Sequence, residues 1–231
     1  MDLNTADFEE LLRLGVGQEL YRGEEGRILL EDGGGFYTLM SDILDGETLL
    51  DRLRALRLPD FHLATVKSTD ALRAMEREYG LTENHPCTQW VYCLPEPPAY
   101  PDCDIRPLSP EHAQQAGEQY HHNFDYVRER IAAGKMWGLF EDSALAGFIG
   151  VHTEGAIGML EILPAYRKRG YGFALEAFLI GLQRKNGAIA YCHVIDGNEA
   201  SVHLQQKLGM QKADLPAIWC WKKDEGIVQM T

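Results

Sequence analysis

Between Gly158 and Gly172 the chain reads GMLEILPAYRKRGYG, and no other segment constrains the fold as tightly. A largely apolar strand runs into Pro164, which has no N–H to give to a sheet and so stops the pairing. Arg167, Lys168 and Arg169 follow, then Gly170-Tyr171-Gly172 and a long apolar helix to Arg184, ended by Asn186-Gly187. The glycines let the backbone turn tightly and approach a ligand without interference from Cβ. The free N–H groups of Arg169 to Phe173 point out of the helix start and, with the helix dipole, suit a phosphate or pyrophosphate. Gly-x-Gly alone would fit any basic loop that caps a helix; the ordered strand, Pro, Tyr, Arg, glycines and helix carry the inference. No Gly-Lys-Ser/Thr follows, so this is not a Walker loop. The third glycine and the acidic residue of the dinucleotide fingerprint are missing.

A second feature divides the chain. Residues 95–102 read PEPPAYPD, with four prolines in eight residues, an extended stretch that neither a helix nor a central strand accommodates. The expected organisation is an N-terminal α/β domain over 1–96, a Pro-rich linker over 97–103 and a second α/β domain over 104–231. The first half alternates elements. Helical spacing covers Phe8 to Leu14, Asp42 to Arg57 and Asp70 to Tyr79; strands are expected over Gly26 to Glu31, Gly35 to Met40, Phe61 to Val66 and Gln89 to Leu94. Asp32-Gly33-Gly34 reads as a hairpin-type turn. In the second half, a short strand at Ile105 precedes helices over Pro110 to Tyr120 and Tyr126 to Ala133. Strands then follow over Met136 to Phe140, Ala144 to His152 and Ile157 to Leu163. After the Gly170 helix come a strand over Ala188 to Val194, a helix over Glu199 to Leu208 and a strand over Ile218 to Trp221. This order is a layered α/β arrangement.

Charge narrows the partners. Twenty-two Lys and Arg against 35 Asp and Glu give a formal charge of −13 over 231 residues. Such a surface repels phosphate backbones and attracts cations, so no nucleic-acid partner is expected. Five cysteines without a CxxC pair favour neither a disulfide framework nor a zinc site. The opening MDLNTADFEE lacks the basic and apolar regions of a secretory signal, and no run of 18 apolar residues occurs, so a cytoplasmic chain with no membrane partner is expected.

The loop segment resembles the GNAT superfamily of acyl-CoA-dependent N-acyltransferases. Arg167-x-x-Gly170-x-Gly172 is similar to its Arg/Gln-x-x-Gly-x-Gly/Ala loop, and IGMLEILPAYRKRGYG looks like the glycine-N-acyltransferase-like branch. A second segment, Asn198-Glu-Ala-Ser201-Val-His-Leu204-Gln-Gln-Lys-Leu208-Gly209-Met210, is similar to the family's Asn-x-x-Ala/Ser…Leu-x-x-Lys-x-Gly-Phe helix. The resemblance spans about Asp104 to Lys222. It implies a mixed, mostly antiparallel α/β sheet flanked by helices. It also implies acetyl-CoA as co-substrate and acyl transfer, by direct attack, to the amine of a small molecule or amino acid. The backbone at Ile162 and Leu163 would pair with the pantetheine arm. Amides of Arg167, Lys168, Arg169, Gly170, Tyr171 and Gly172 would hold the pyrophosphate, with Asn198 and Ser201 nearby. Asn198 is equally a good helix N-cap, with Ala200, Leu204 and Leu208 as a core stripe.

Where many relatives carry a tyrosine that protonates the leaving thiolate, this chain has Gln205, which cannot. Tyr191, His193 and His203 are the nearest alternatives. Aminolysis of a thioester also needs a base; Glu161 is the first candidate, with His152 and Glu154 on the neighbouring strand as alternatives. The stretch Tyr120 to Tyr126 holds His121, His122 and Tyr126 as acceptor-binding candidates. Adjacent histidines diverge, so no metal is expected there. The first half resembles a degenerate second copy of the same fold, without its loop. A catalytically inactive acyl-CoA-binding sensor or scaffold is the competing function, and a homodimer is left open.

Overall fold

The computed structural model describes residues 1–33, 36–120 and 124–223. Its strands are β1 (Gly17–Gly23), β2 (Gly26–Asp32), β3 (Tyr37–Ser41), β4 (Leu63–Val66), β5 (Glu83–Val91), β6 (Asp104–Pro107), β7 (Met136–Glu141), β8 (Ala144–Val151), β9 (Ile157–Ile162), β10 (Tyr191–Ile195) and β11 (Gln211–Trp221). The helices are α1 (Ala6–Leu14), α2 (Gly46–Ala55), α3 (Thr69–Tyr79), α4 (Ala113–Gln119), α5 (Phe124–Ala132), α6 (Tyr171–Lys185) and α7 (Glu199–Leu208). Local chemistry sets their starts. Asp45 accepts the Thr48 N–H (2.8 Å), Ser68 that of Ala71 (3.0 Å) and Asn198 that of Ser201 (3.1 Å), each satisfying an amide that the first turn leaves without a partner.

The strands form two sheets. Four make a meander, β6-β7-β8-β9, antiparallel throughout; seven run in the order β1-β2-β3-β4-β11-β5-β10. In the larger sheet only β3 and β4 are parallel. The two halves of the chain therefore share one sheet. β5 from the first half lies between β10 and β11, and β11 from the second lies between β4 and β5. The run β1, β2, β3, α2, β4, α3, β5 repeats the order of β7, β8, β9, α6, β10, α7, β11, with each run's last strand seated in the other's territory.

The two runs differ at one join. β3 and β4 are hydrogen-bonded from Thr38 opposite Leu63 to Ser41 opposite Val66. At the corresponding place β9 pairs only with β8, and β10 only with β5, so the sheet opens between them. β9 also carries a register shift opposite Phe148 to Gly150, where Met159 takes a left-handed φ of 52°. Such a bulge bends the strand and ends regular pairing. Helices α2 and α3 cover the closed join through Leu49, Leu53, Leu72 and Met75. α6 and α7 cover the open one through Leu175, Leu179, Ile180 and Leu208.

Helix α1 and the turn before it tie the halves together. The Glu10 carboxylate accepts the Ile189 N–H at 2.9 Å, and Asn4 Oδ1 accepts the amides of Asp214 and Leu215. Beneath it, the Lys67 ammonium donates to Asp7 at 2.6 Å with both side chains fully enclosed. Asp7→Ala leaves that ammonium buried and unpaired, and urea denaturation is expected to show a loss of about 3–5 kcal/mol. The double replacement Asp7→Leu with Lys67→Met should recover most of the loss.

Most expected elements are present, with informative differences. β1 was not expected from the sequence, and β5 and β11 begin well before the expected stretches 89–94 and 218–221, β5 ending at Val91. Ala200 is exposed, and the face of α7 turned inward carries Gln205 and Leu208. The Asp32-Gly33-Gly34 turn is closed by Gly33 N–H donating to Phe36 O at 2.9 Å, while Gly34 lies outside the described residues.

Candidate functional site

The sequence dictates the loop between β9 and α6 step by step. Pro164 opens a short turn to Tyr166, Arg167 is extended, and Lys168 and Gly170 take left-handed φ values of 63° and 82°. Gly170 is the residue before α6, and its carbonyl accepts from Ala174 at 3.1 Å. The amides from Arg169 to Phe173 precede that first bond and have no main-chain acceptor among the described residues. A Cβ at Gly170 would have nothing within 4 Å, and one at Gly172 would meet only Ile162, Leu160 and Leu204, all at 3.9 Å. The helix start thus faces the end of β9 and α7 across free space. A cavity of about 550 Å³ opens beside it, lined by Arg169, Gly170, Tyr171, Phe173 and Lys207 among others.

The basic side chains divide their work. Arg169 Nη1 donates to both oxygens of Glu141 (2.9 and 3.0 Å), whose carboxylate also accepts from Tyr171 Oη at 2.8 Å. Arg167 Nε donates to Ile162 O at 3.0 Å, and the Leu163 N–H donates to Ala146 O at 2.9 Å. Lys168 is exposed. The main-chain amides, together with Lys168 and the Lys207 ammonium on α7, are what the loop offers an anion.

A second cavity of about 330 Å³ lies at the opening between β9 and β10. It brings together Glu161 from β9, His152 and Glu154 from the turn after β8, and Asn198, Ser201 and Gln205 from α7. Tyr120, His193, Trp219 and Glu176 complete the polar and aromatic wall, and no Lys or Arg lines it among the described residues. The capping role of Asn198 and its place on this wall coexist.

Electrostatics separate these groups. Glu154 is buried, and burial raises its carboxyl pKa to about 7 while Arg130 opposes the rise; burial and the Glu154 charge likewise raise Glu31 of β2 to about 7. Arg130 is itself buried and held by Val151 O at 3.0 Å. Burial raises Glu176 to about 7, with only the Gln205 amide favouring its ionised form. His152 is held down to about 4 by the protein around its ring and by Arg130; its Nδ1 sits 2.9 Å from Tyr126 Oη. A Cβ on Gly158 would lie 2.3 Å from His152 Nε2, so that glycine makes room for the imidazole. His193 is pushed down to about 3; its Nδ1 accepts from Trp219 and its Nε2 meets Gln89 Oε1 at 2.7 Å, a satisfied neutral ring. Tyr191 is fully buried, donating to Glu154 O at 3.0 Å, and His203 is exposed. Tyr126 touches the site through His152, whereas His121 and His122 lie outside the described residues.

Sequence reasoning missed Glu176, Glu31 and Arg130. The signal for Glu176 was present: one carboxylate inside FALEAFLIGL, where ionisable residues are rarely enclosed unless paired or functional. Among the described residues no cluster of three or more His, Cys, Asp or Glu is arranged to hold a metal, and no helix is long and apolar enough to cross a membrane.

Comparison with known proteins agrees with this geometry. Residues 101–210 match the acetyltransferase (GNAT) family, a family that uses acetyl-CoA as co-substrate. No curated protein matches the chain. Among solved structures, a Drosophila protein shares 17% identity and a TM-score of 0.69, over 95% of this chain and 88% of its own. A GCN5-related N-acetyltransferase from Kribbella flavida gives 13% and 0.56 (96% and 95% covered), and one from Sphaerobacter thermophilus 18% and 0.53 (94% and 88%). These likenesses show that the mixed α/β fold extends across both halves.

Proposed function

We propose that this chain, with an acetyltransferase (GNAT) domain in residues 101–210, transfers acetyl from acetyl-CoA to a small cationic amine by direct attack on the thioester. One observation carries the proposal. The opening between β9 and β10 has an amide-lined helix start at one end and a carboxyl-lined cavity at the other. The pyrophosphate would lie against the amides of Arg169 to Phe173, the free space at Gly170 and Gly172 admitting it closely. The acyl group and the amine would meet in the cavity. The likeness to the glycine-N-acyltransferase-like branch rests on the GMLEILPAYRKRGYG segment, and the substrate assignment here rests on the cavity.

In this scheme Glu154 takes the amine proton. Its pKa is raised from the ordinary carboxyl range, which brings it toward the working pH of a general base, and Arg130 keeps the carboxylate accessible. His152, held near 4, is a weaker base, and Glu161 is placed to attract the ammonium form of the acceptor. The walls carry Glu154, Glu161 and Glu176 and no fixed cation among the described residues, so an amine with net positive charge is favoured over a zwitterionic amino acid. No comparison supports the inactive-module alternative. Mass spectrometry of products from acetyl-CoA with a panel of diamines, polyamines, amino acids and anionic amines tests the assignment. Acetylated diamines or polyamines should dominate; exclusive acetylation of anionic amines would contradict the acceptor class, and no acetylated product with any amine would contradict the function.

A further inference from the structure

The cavity holds a buried carboxyl for which amine deprotonation has no use. Glu176 sits on the second turn of α6, is 2% exposed, and lies among Ala174, Leu175 and Ala177. Its hydrogen-bond partner is Gln205 on α7, whose Nε2 donates to Glu176 Oε2 at 3.3 Å. Gln205 is equally enclosed, at 3% exposed, and its Oε1 has no partner among the described residues. From β10, the buried thiol of Cys192 faces the same carboxyl. On the cavity wall stand Glu154 and Glu161, His152 and His193, both histidines neutral at neutral pH, and Tyr120, pushed up to about 12. No cation on any of these elements offsets a charge on Glu176, whereas Glu154 has Arg130.

We infer that Glu176 carries a proton in the resting protein and delivers it to the departing sulfur, with Gln205 as the residue that positions it. This rests on the acyl-transfer proposal above. The step balances as follows. The amine lone pair forms the C–N bond, the C–S bond breaks with its electrons on sulfur, Glu154 accepts the amine proton, and Glu176 gives its own to the thiolate. Solvent then exchanges protons with both carboxyls. Both carboxyls are raised to about 7, and their neighbours assign the parts: the one that feels the Arg130 guanidinium acts as base and the one without a counter-charge as acid.

Infrared difference spectra between the wild type and Glu176→Gln test the resting proton without any substrate. A protonated-carboxyl band assigned to Glu176 should be present at pH 6 and disappear with a midpoint near pH 7. In Gln205→Leu the midpoint should move up, because the amide hydrogen bond favours the ionised form. Kinetically, Glu176→Gln should lower kcat by about 10–100-fold, with acetyl-CoA affinity by calorimetry within about twofold of wild type. Wild-type kcat should also fall above about pH 7, and Glu176→Gln should lack that limb. A weaker acetyl-CoA affinity with unchanged kcat would make Glu176 a binding residue and overturn the inference, as would a missing band at pH 6. A wild type that binds acetyl-CoA yet acylates no amine would contradict the functional proposal itself, whatever the infrared result.

Discussion

Glu154→Gln is expected to lower kcat/KM by about 10²–10³-fold, the usual range for loss of a positioned general base, while acetyl-CoA affinity stays within about twofold. The direction of the pH effect follows from the site. Burial raises the Glu154 pKa to about 7, with Asp7 adding to the rise, so its basic form appears only as pH climbs out of the ordinary carboxyl range. Wild-type kcat/KM should therefore rise with pH toward neutrality, and the variant should show a flat, low profile over the same interval. Glu161→Gln, measured alongside, should act chiefly on KM for the amine. A large kcat loss in Glu161→Gln with none in Glu154→Gln would reverse these roles.

Gly172→Val is expected to weaken acetyl-CoA binding by more than tenfold, which is about 1.4 kcal/mol or more. Gly172 lies in the first turn of α6 with an ordinary φ, and valine is a better helix residue than glycine there. The melting temperature should hold or rise. A Cβ meets no protein atom nearer than 3.9 Å, so the added methyls occupy the space where the phosphate would approach the amides. Gly170→Val should weaken binding as much but also cost stability, because φ there is 82°, a conformation valine rarely adopts. Comparing the two separates ligand exclusion from backbone strain. Unchanged affinity in a folded Gly172→Val would remove the loop from the site.

Local chemistry made much of this legible. The break at Pro164, the glycine before α6, the Asn198 cap and the apolar runs of β7, β8 and β9 depend on residues near in sequence, and the structure has each of them. Other features depend on distant partners. β1, GQELYRG, shows no apolar alternation because it is the outermost strand and none of its residues is fully buried, and β2 alone pairs with it. The last strand was expected only over Ile218 to Trp221; β11 begins at Gln211, and the sheet absorbs Pro216 at a register shift between Lys212 and Pro216. The linker marks a boundary between two halves, and β5, from before it, lies between β10 and β11 from beyond it. The opening between β9 and β10 is likewise a pairing that does not form, which no local pattern announces. Glu176 and Gln205 are polar residues on helices whose neighbours are apolar, and only their enclosure together makes them chemically suggestive.

The central claim is that acetyl-CoA occupies the open join and leaves the closed one empty. Titrating ¹⁵N-labelled protein with acetyl-CoA and following backbone amide shifts tests it directly. The largest changes should fall on Arg169 to Phe173 at the start of α6, on Gly158 to Ile162 of β9 and on Asn198 to Ser201 of α7, with β3 and β4 unmoved. Shifts concentrated on Thr38 to Ser41 and Leu63 to Val66, or saturation with the α6 amides unchanged, would contradict the account.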